Sequence, residues 1–324
     1  MTTHGLVTRT LFVDAVRSAV AAVSLHNSQP WRFRYDPDTG AVEVRADRSR
    51  ALKVTDPSGW GVRVALGAAT YNLMLAFAVA RQPMEVTWQP SNTDPDLHAL
   101  LVPGPARPPT NEQECLYHAI GRRYSNRAPF RPEPVPLHAR TQIVRAAREE
   151  LAWVELVTGV APVAAVAEIT RAAQQVLERD PAYLAELRSW SRDDPGSPDG
   201  VPLWTSGHNT APQDLFPQRP FGDRPRPPGR DYETEPLVAV LGTTGDLAID
   251  HLHAGYALQR VLLTITDLGL SCAMLSQPIE VPSAREQLRL ALGRFGTPQM
   301  VLRIGYGVPG ARSSRRPPEE VIDA

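Results

Sequence analysis

Within Ser24-Leu25-His26-Asn27-Ser28-Gln29, two hydroxyls, an imidazole and two amides crowd together, and Pro30-Trp31 closes the run. So many polar groups would need partners that a core helix cannot supply, so the stretch is a loop with donors and acceptors aimed at something. By residue type alone, a self-satisfied turn between a helix and a strand competes with a binding loop. A second concentration is Arg122-Arg123-Tyr124-Ser125-Asn126-Arg127-Ala128-Pro129-Phe130. Arg123 and Arg127 offer fork-shaped donors to an anion, and the Ser125 hydroxyl bridges them. A solvated basic loop is the competing reading. Arg312, Arg315 and Arg316 form a third basic group near the C-terminal end, where basic residues often only aid solubility.

Other chemistries lack support. Cys115 and Cys272 are too few for a disulfide framework or a zinc site, and Cys272 reads as buried filler. His251-Leu252-His253 has no third ligand at helical spacing. There is no G-x-G-x-x-G after a strand and no serine hydrolase elbow. The net charge of −1, from 34 basic and 35 acidic residues, gives no general attraction to nucleic acid or an anionic membrane.

The elements that must position these groups follow from periodicity. Thr8 to Val23 carries one apolar helical stripe, and Trp31–Tyr35 alternates as a strand, with a hairpin partner at Ala41–Ala46. Asp56-Pro57-Ser58-Gly59 breaks the chain before a long apolar helix, Val62–Arg81, and a short strand, Met84–Trp88. This apolar run contains Arg63, Tyr71 and Asn72 and reads as a buried helix, not a membrane span. Pro90 to Pro109 reads as a Pro-rich connection. Helices are expected over Glu112–Ile120, Leu137–Glu150, Val163–Trp190, Asp250–Leu268 and Pro282–Leu292. Strands are expected over Trp153–Val157, Leu237–Leu241 and Met300–Ile304, with a short segment at Ser271–Leu275. Ser191 to Pro236 holds ten prolines in 46 residues; a loop of that length is a lid, a functional excursion or disorder. Gly67-Ala68-Ala69 and Gly255-Tyr256-Ala257 align at an offset of 188 (255 − 67), each in a long apolar helix that leads to a short strand. With no basic leader and apolar core at the N-terminus, a cytoplasmic location is the default.

The loop resembles the P-S-x-x-N-x-Q-P-W signature of the nitroreductase-like flavoproteins, with Val23 where that family has Pro. The run Asp47-Arg48-Ser49-Arg50-Ala51-Leu52-Lys53-Val54-Thr55-Asp56-Pro57 is similar to the Acg-type branch, in which two nitroreductase-like halves share one chain. The resemblance spans nearly the whole sequence. It implies an α+β duplicated nitroreductase-like fold, a mixed or antiparallel sheet flanked by helices in a single-chain pseudo-dimer. The first half would be 1–110, and the second 111–324 with a lid-like insertion at 191–236.

It also implies a non-covalent FMN. Ser24, Asn27 and Gln29 would meet ring or ribityl polar atoms. Arg123, Ser125 and Arg127 match the family's R-x-S-x-R/K motif and would hold the phosphate, with Arg315 or Arg316. Cys272-Ala273-Met274-Leu275-Ser276-Gln277-Pro278 falls where the family's backbone passes flavin N5. Met274 and Leu275 would line the ring, and Ser276 or Gln277 would supply a main-chain N–H, since Pro278 has none. Each half carries only part of the motif set, so one FMN per chain is expected. The implied activity is hydride transfer from NADPH or NADH through the flavin to a small organic acceptor, by a monomeric pseudo-dimer or weak homodimer. Two alternatives hold the lid responsible: a protein that sequesters FMN with little reductase activity, or a biosynthetic oxidoreductase. In either, Trp204, His208 and Phe216 would be lid or pocket residues.

Overall fold

The structure is a computed structural model that describes residues 7–211, 214–225, 236–307 and 312–323. Residues 212, 213 and 226–235 of the expected lid lie outside the described residues.

Helix α1 (Arg9–Ala19) starts where the Thr8 hydroxyl accepts from Leu11 N (3.2 Å), and it buries Phe12, Ala15, Val16 and Ala19. Strands β1 (Trp31–Tyr35) and β2 (Val42–Ala46) form the expected hairpin. Helix α2 (Trp60–Val79) precedes β3 (Met84–Trp88), β4 (Leu97–Pro103) and α3 (Asn111–Ile120). Then come α4 (Leu137–Arg148), β5 (Trp153–Val157), α5 (Val160–Glu178) and α6 (Pro181–Ser189). The short β6 (Ser191–Arg192) and β7 (Val201–Pro202) pair in parallel. The chain continues with β8 (Leu237–Thr243), α7 (Ala248–Asp267), β9 (Ser271–Leu275), α8 (Gln277–Glu280), α9 (Pro282–Leu292), β10 (Thr297–Gly305) and α10 (Pro318–Val321).

Three expectations are corrected. The Pro90–Pro109 connection contains β4, an inner strand paired with both β2 and β3. Its Ala99 and Leu101 are fully buried, and the flanking prolines drew attention away from this short apolar run. The single helix over Val163–Trp190 is two helices. Pro181 has no N–H to continue α5, and the Asp180 carboxylate accepts from Ala182 N (2.8 Å) to start α6. The lid stretch is not featureless, since it carries β6, β7 and a 3-10 turn, Leu203–Thr205.

The two sheets share one topology. Sheet β1-β2-β4-β3 and sheet β5-β8-β10-β9 are both antiparallel, with the first, second, fourth and third strands in that order. Helix α1 precedes the first strand and α2 joins the second to the third; α4 and α7 do the same in the other half. Two connections break the likeness: between the first and second strands, a hairpin in one half and α5, α6 and residues 191–236 in the other, and between the third and fourth strands, a short loop in one half and α8 and α9 in the other.

Helices α2 and α7 cross at glycines. A Cβ on Gly67 would lie 2.0 Å from the Leu252 carbonyl oxygen, and a Cβ on Gly255 would lie 1.9 Å from that of Val64. Both pairs are 188 positions apart, so the contact repeats itself across a pseudo-twofold axis. Arg63 Nε donates to His251 Nδ1 (3.1 Å) across the same axis. Helix α2 is apolar nearly all round and long enough to cross a membrane by length and composition, and here most of it is buried inside the protein.

The C-terminal segment returns to the first half. Asp323 N donates to Phe33 O (2.8 Å), and Arg32 Nε donates to the Asp323 carboxylate (2.6 Å). That path carries Ser314, Arg315 and Arg316 past the polar loop.

Candidate functional site

The polar loop is held in a strained backbone. His26, Asn27 and Gln29 have φ of 51°, 55° and 51°, in the left-handed region that costs ordinary residues on the order of 1–2 kcal/mol each. Hydrogen bonds to distant segments fix it. Asn27 Nδ2 donates to the Gly200 and Ser314 carbonyls (2.9 and 3.0 Å). Gln29 Nε2 donates to Pro198 O (2.8 Å), and Gln29 Oε1 accepts from Arg316 N (2.9 Å). Gln29 N donates to the Ser24 hydroxyl (3.0 Å).

Two cavities meet beside this loop. The larger in total empty space, about 860 Å³ including the part open to solvent, is walled by Ser24 and His26, by Trp60, Gly61, Val64 and Ala65 of α2, and by Ala273–Gln277. The second, about 620 Å³, is lined by Arg123, Tyr124, Arg312, Ser313 and Arg315. Ser125 and Arg127 line both, so one long ligand could run from the apolar-walled chamber into the basic one. The basic chamber holds uncompensated charge. Arg123 is 7% exposed, and its Nε and Nη1 have no hydrogen-bond partner among the described residues. Arg315 Nε is also unpartnered, while its other donors reach the Ser313, Ser314 and Ala22 carbonyls.

Burial pushes Arg123 and Arg127 down to about 10, with neighbouring arginines adding to the effect. Burial, with Arg123 and Arg312, pushes Arg315 down to about 9. All remain cationic at neutral pH, and desolvated guanidiniums with no carboxylate partner among the described residues call for an anion.

The sequence-derived candidates therefore divide. Ser24, Ser125, Arg127, Met274, Leu275, Ser276 and Gln277 line the larger chamber, and Arg123 and Arg315 the basic one. Asn27 and Gln29 line neither; their amides tie the lid and the C-terminal segment to the loop. Arg316 also lies away from both, donating to Glu320 O (2.7 Å). Of the lid candidates, Trp204 is 41% exposed, His208 lines neither chamber, and Phe216 sits in the main core at 2% exposure.

No family model matches the chain. A search of curated proteins finds a Mycobacterium tuberculosis protein named "Putative NAD(P)H nitroreductase Rv3131", 32% identical over 302 residues, 89% of this chain and 83% of that protein. The chain belongs to the nitroreductase family. The similarly named acg protein of the same organism is 29% identical over 329 residues, 98% of this chain and 96% of that one. Among solved structures, the FMN- and NADPH-dependent nitroreductase NfnB from a Sphingopyxis strain is 21% identical over 64% of this chain and 98% of its own, with a TM-score of 0.42.

In this member of the nitroreductase family, Pro217, Gln218, Arg219 and Phe221 of the 191–236 stretch wall the larger chamber. Arg219 is the node. It donates to both Glu280 oxygens (2.8 and 3.1 Å), to the Ser276 hydroxyl (3.0 Å) and to the Tyr183 hydroxyl (2.9 Å). The Arg219 side chain is 7% exposed and that of Glu280 fully buried. Burial alone would lower the Arg219 pKa; Glu280 and Tyr183 more than offset it and raise it. A second latch joins Arg50 to Asp199, which Arg192 also pairs at 2.8 Å. Residue typing missed Arg219 because it is one arginine among many in a Pro-rich run; its partner Glu280 lies 61 positions away.

Proposed function

We propose that the chain is an FMN-dependent oxidoreductase of nitroreductase type that holds one FMN, takes reducing equivalents from NADPH or NADH, and acts on a small organic acceptor. The observation that carries this reading is the unpartnered, buried Arg123 in a chamber that opens, through Ser125 and Arg127, into an apolar-walled pocket. That donor set fits a phosphate-bearing tail joined to a flat ring, and the resemblance of the polar loop to the family signature agrees with it. Arg123, Arg127 and Arg315, rather than Arg316, would hold the phosphate, with Ser125 at the joint between the chambers. Ala273, Met274 and Leu275 would pack on the ring, and Ser276 or Gln277 would offer a main-chain donor. Bound FMN supplies two-electron redox chemistry at its ring. The protein's part is to fix the cofactor, dry the pocket with Trp60, Val64 and Phe221, and leave a space that an acceptor can enter. We also place the boundary between the halves near residue 110, between β4 and α3.

The buried Arg219–Glu280 latch favours a second reading, in which the lid stays shut and the protein stores FMN with little turnover. One experiment separates the two. The purified protein, saturated with FMN and kept free of oxygen, is mixed with NADPH and separately with NADH while flavin absorbance is followed. Rapid bleaching is expected for the reductase. Bleaching by dithionite alone supports storage, and a colourless protein that refuses added FMN removes both.

A further inference from the structure

Helix α3 links the basic chamber to a third cavity. Its last residue, Ile120, lines the chamber, and Glu112 and Gln113 of its first turn line the cavity, about 670 Å³ including the part open to solvent. The internal repeat makes this cavity the counterpart of the basic chamber. There the Tyr124 hydroxyl hydrogen-bonds that of Ser271 (3.0 Å), and Ser125 bridges to Cys272. The positions 188 residues before Ser271 and Cys272 are Pro83 and Met84, and both line the cavity.

The charge is reversed between the two. In the basic chamber guanidiniums lack carboxylates. At the cavity Arg260 meets three, those of Glu112 (2.8 Å), Glu149 and Glu150 (2.5 Å). Its hydrogen bonds to the two lining carboxylates use only Oε1 of Glu112 and Oε1 of Glu150, so the second oxygen of each has no hydrogen-bond partner among the described residues. Arg145 pairs with Glu149 (2.5 Å), which leaves two guanidiniums in this cluster for three carboxylates. Arg107 also lines the cavity, as an exposed residue with no ion pair among the described residues.

Tyr71 and Tyr256 line the cavity together, their rings edge-on at 4.8 Å. Tyr71 is only 5% exposed, yet its hydroxyl oxygen keeps accessible surface and has no hydrogen-bond partner among the described residues. The same holds for the hydroxyl of Tyr256. Burial pushes both phenols above their usual range, so both keep their protons. Met74, Leu75 and Leu116 supply apolar wall.

We propose that this cavity is a second ligand site, which takes a small molecule carrying an ammonium group on an apolar body. The ammonium donates to the spare oxygens of Glu112 and Glu150 and to the phenol oxygens, all of which can accept. The aliphatic and aromatic wall covers the body. The cavity shares no lining residue with either chamber of the flavin site, so the inference stands apart from the FMN reading.

The test is a calorimetric titration of the full chain, with FMN and again without it. It compares 2-phenylethylamine with 2-phenylethanol, which keeps the body and replaces the ammonium with a hydroxyl. The amine is expected to bind at least about tenfold more tightly, whether or not FMN is present. Glu150→Gln should weaken the amine about tenfold and bring it near the alcohol, and Tyr71→Phe should weaken it a few-fold. Ala78→Phe, which puts a ring into the cavity wall, should abolish binding of both. L-Phenylalanine, titrated beside the amine, separates the two sources of an ammonium: a gain in affinity that Arg107→Gln removes assigns an amino acid, and no gain assigns a simple amine. Equal affinities for the amine and the alcohol, no amine binding at millimolar concentration, or an amine affinity untouched by both Glu150→Gln and Ala78→Phe overturns the proposal. Should Glu150→Gln not fold, Glu112→Gln takes its place, since that side chain is 53% exposed. A protein that takes up no FMN would fail the proposed function and still report on this cavity.

Discussion

The two ends of the α2–α7 pair descend from one repeated pattern and have been finished in opposite ways. At one end small residues, Gly61, Ala65, Ala273 and Ser276, leave a chamber. At the other, the positions 188 residues away from Ser276 and Ala65 are Trp88 and His253. There the Trp88 ring packs edge-on against His253 (5.7 Å) and Tyr256 (5.6 Å) where Ser276 leaves room at the first end, and a separate cavity lined by Tyr71, Met84, Tyr256 and Arg260 lies beyond it. The charges differ as well. Arg123, Arg127 and Arg315 crowd the open end with no carboxylate paired to them among the described residues. Near the Trp88 end Arg260 is matched by Glu112 (2.8 Å), Glu149 and Glu150 (2.5 Å). A duplicated scaffold thus keeps its strand order while side-chain volume and charge decide what each end can receive.

The largest effect should come from the axis that both ends share. Gly67→Leu forces a side chain into the Leu252 backbone, and urea unfolding should show a loss of about 3 kcal/mol or more. A fully stable variant would mean that the helices do not cross as described.

The next contrast sets the arginines against each other. Arg123→Met should weaken FMN about a hundredfold in a fluorescence titration while leaving riboflavin nearly unaffected, since only FMN carries the phosphate. The same change should raise the stability of the FMN-free protein by about 1–2 kcal/mol, because it removes an unpaired buried charge. Arg260→Met should do the reverse and lower stability, having left Glu150 half-buried without its partner. Equal signs for the two would break the comparison.

Trp88→Ala should cost about 2 kcal/mol by opening a gap. It should leave the bound flavin at one per chain, since space without guanidiniums is not a phosphate site. Two flavins per chain would show that volume alone had closed that end.

The smallest effect concerns acid. Burial, with the nearby Arg63, holds His98 down to about 4, and His26 at the open end lies well below its usual range. Both are neutral in the native state, whereas in the unfolded chain each takes a proton near pH 6.5. Unfolded chains therefore bind more protons below that pH, and stability should fall as pH drops from about 6.5 toward 4. His98→Gln should flatten part of this slope, and an unchanged slope would mean that His98 is not held neutral.

Local signals made much of this legible. The long helices, the edge strands and the residue types of the polar loop could be read from periodicity and from turn chemistry. Arg123, Ser125 and Arg127 were readable as a candidate anion-binding group because their grouping within five positions is a local fact. The uses of Asn27 and Gln29 were not readable, because their partners Gly200, Pro198, Ser314 and Arg316 lie between 169 and 287 positions away. Phe216 went to the core for the same reason, since aromatic type does not say which side of a lid faces the cavity. Strand β4 was hidden by the prolines that flank it, although its apolar run was in plain view.

The glycine crossing of α2 and α7 has a genetic consequence. Where two identical chains meet on a twofold axis, every substitution is inherited by both sites at once, and a plug such as Trp88 would abolish the pair. With both copies encoded in one reading frame, each mutates alone, so one vestibule could be walled off while its twin was kept.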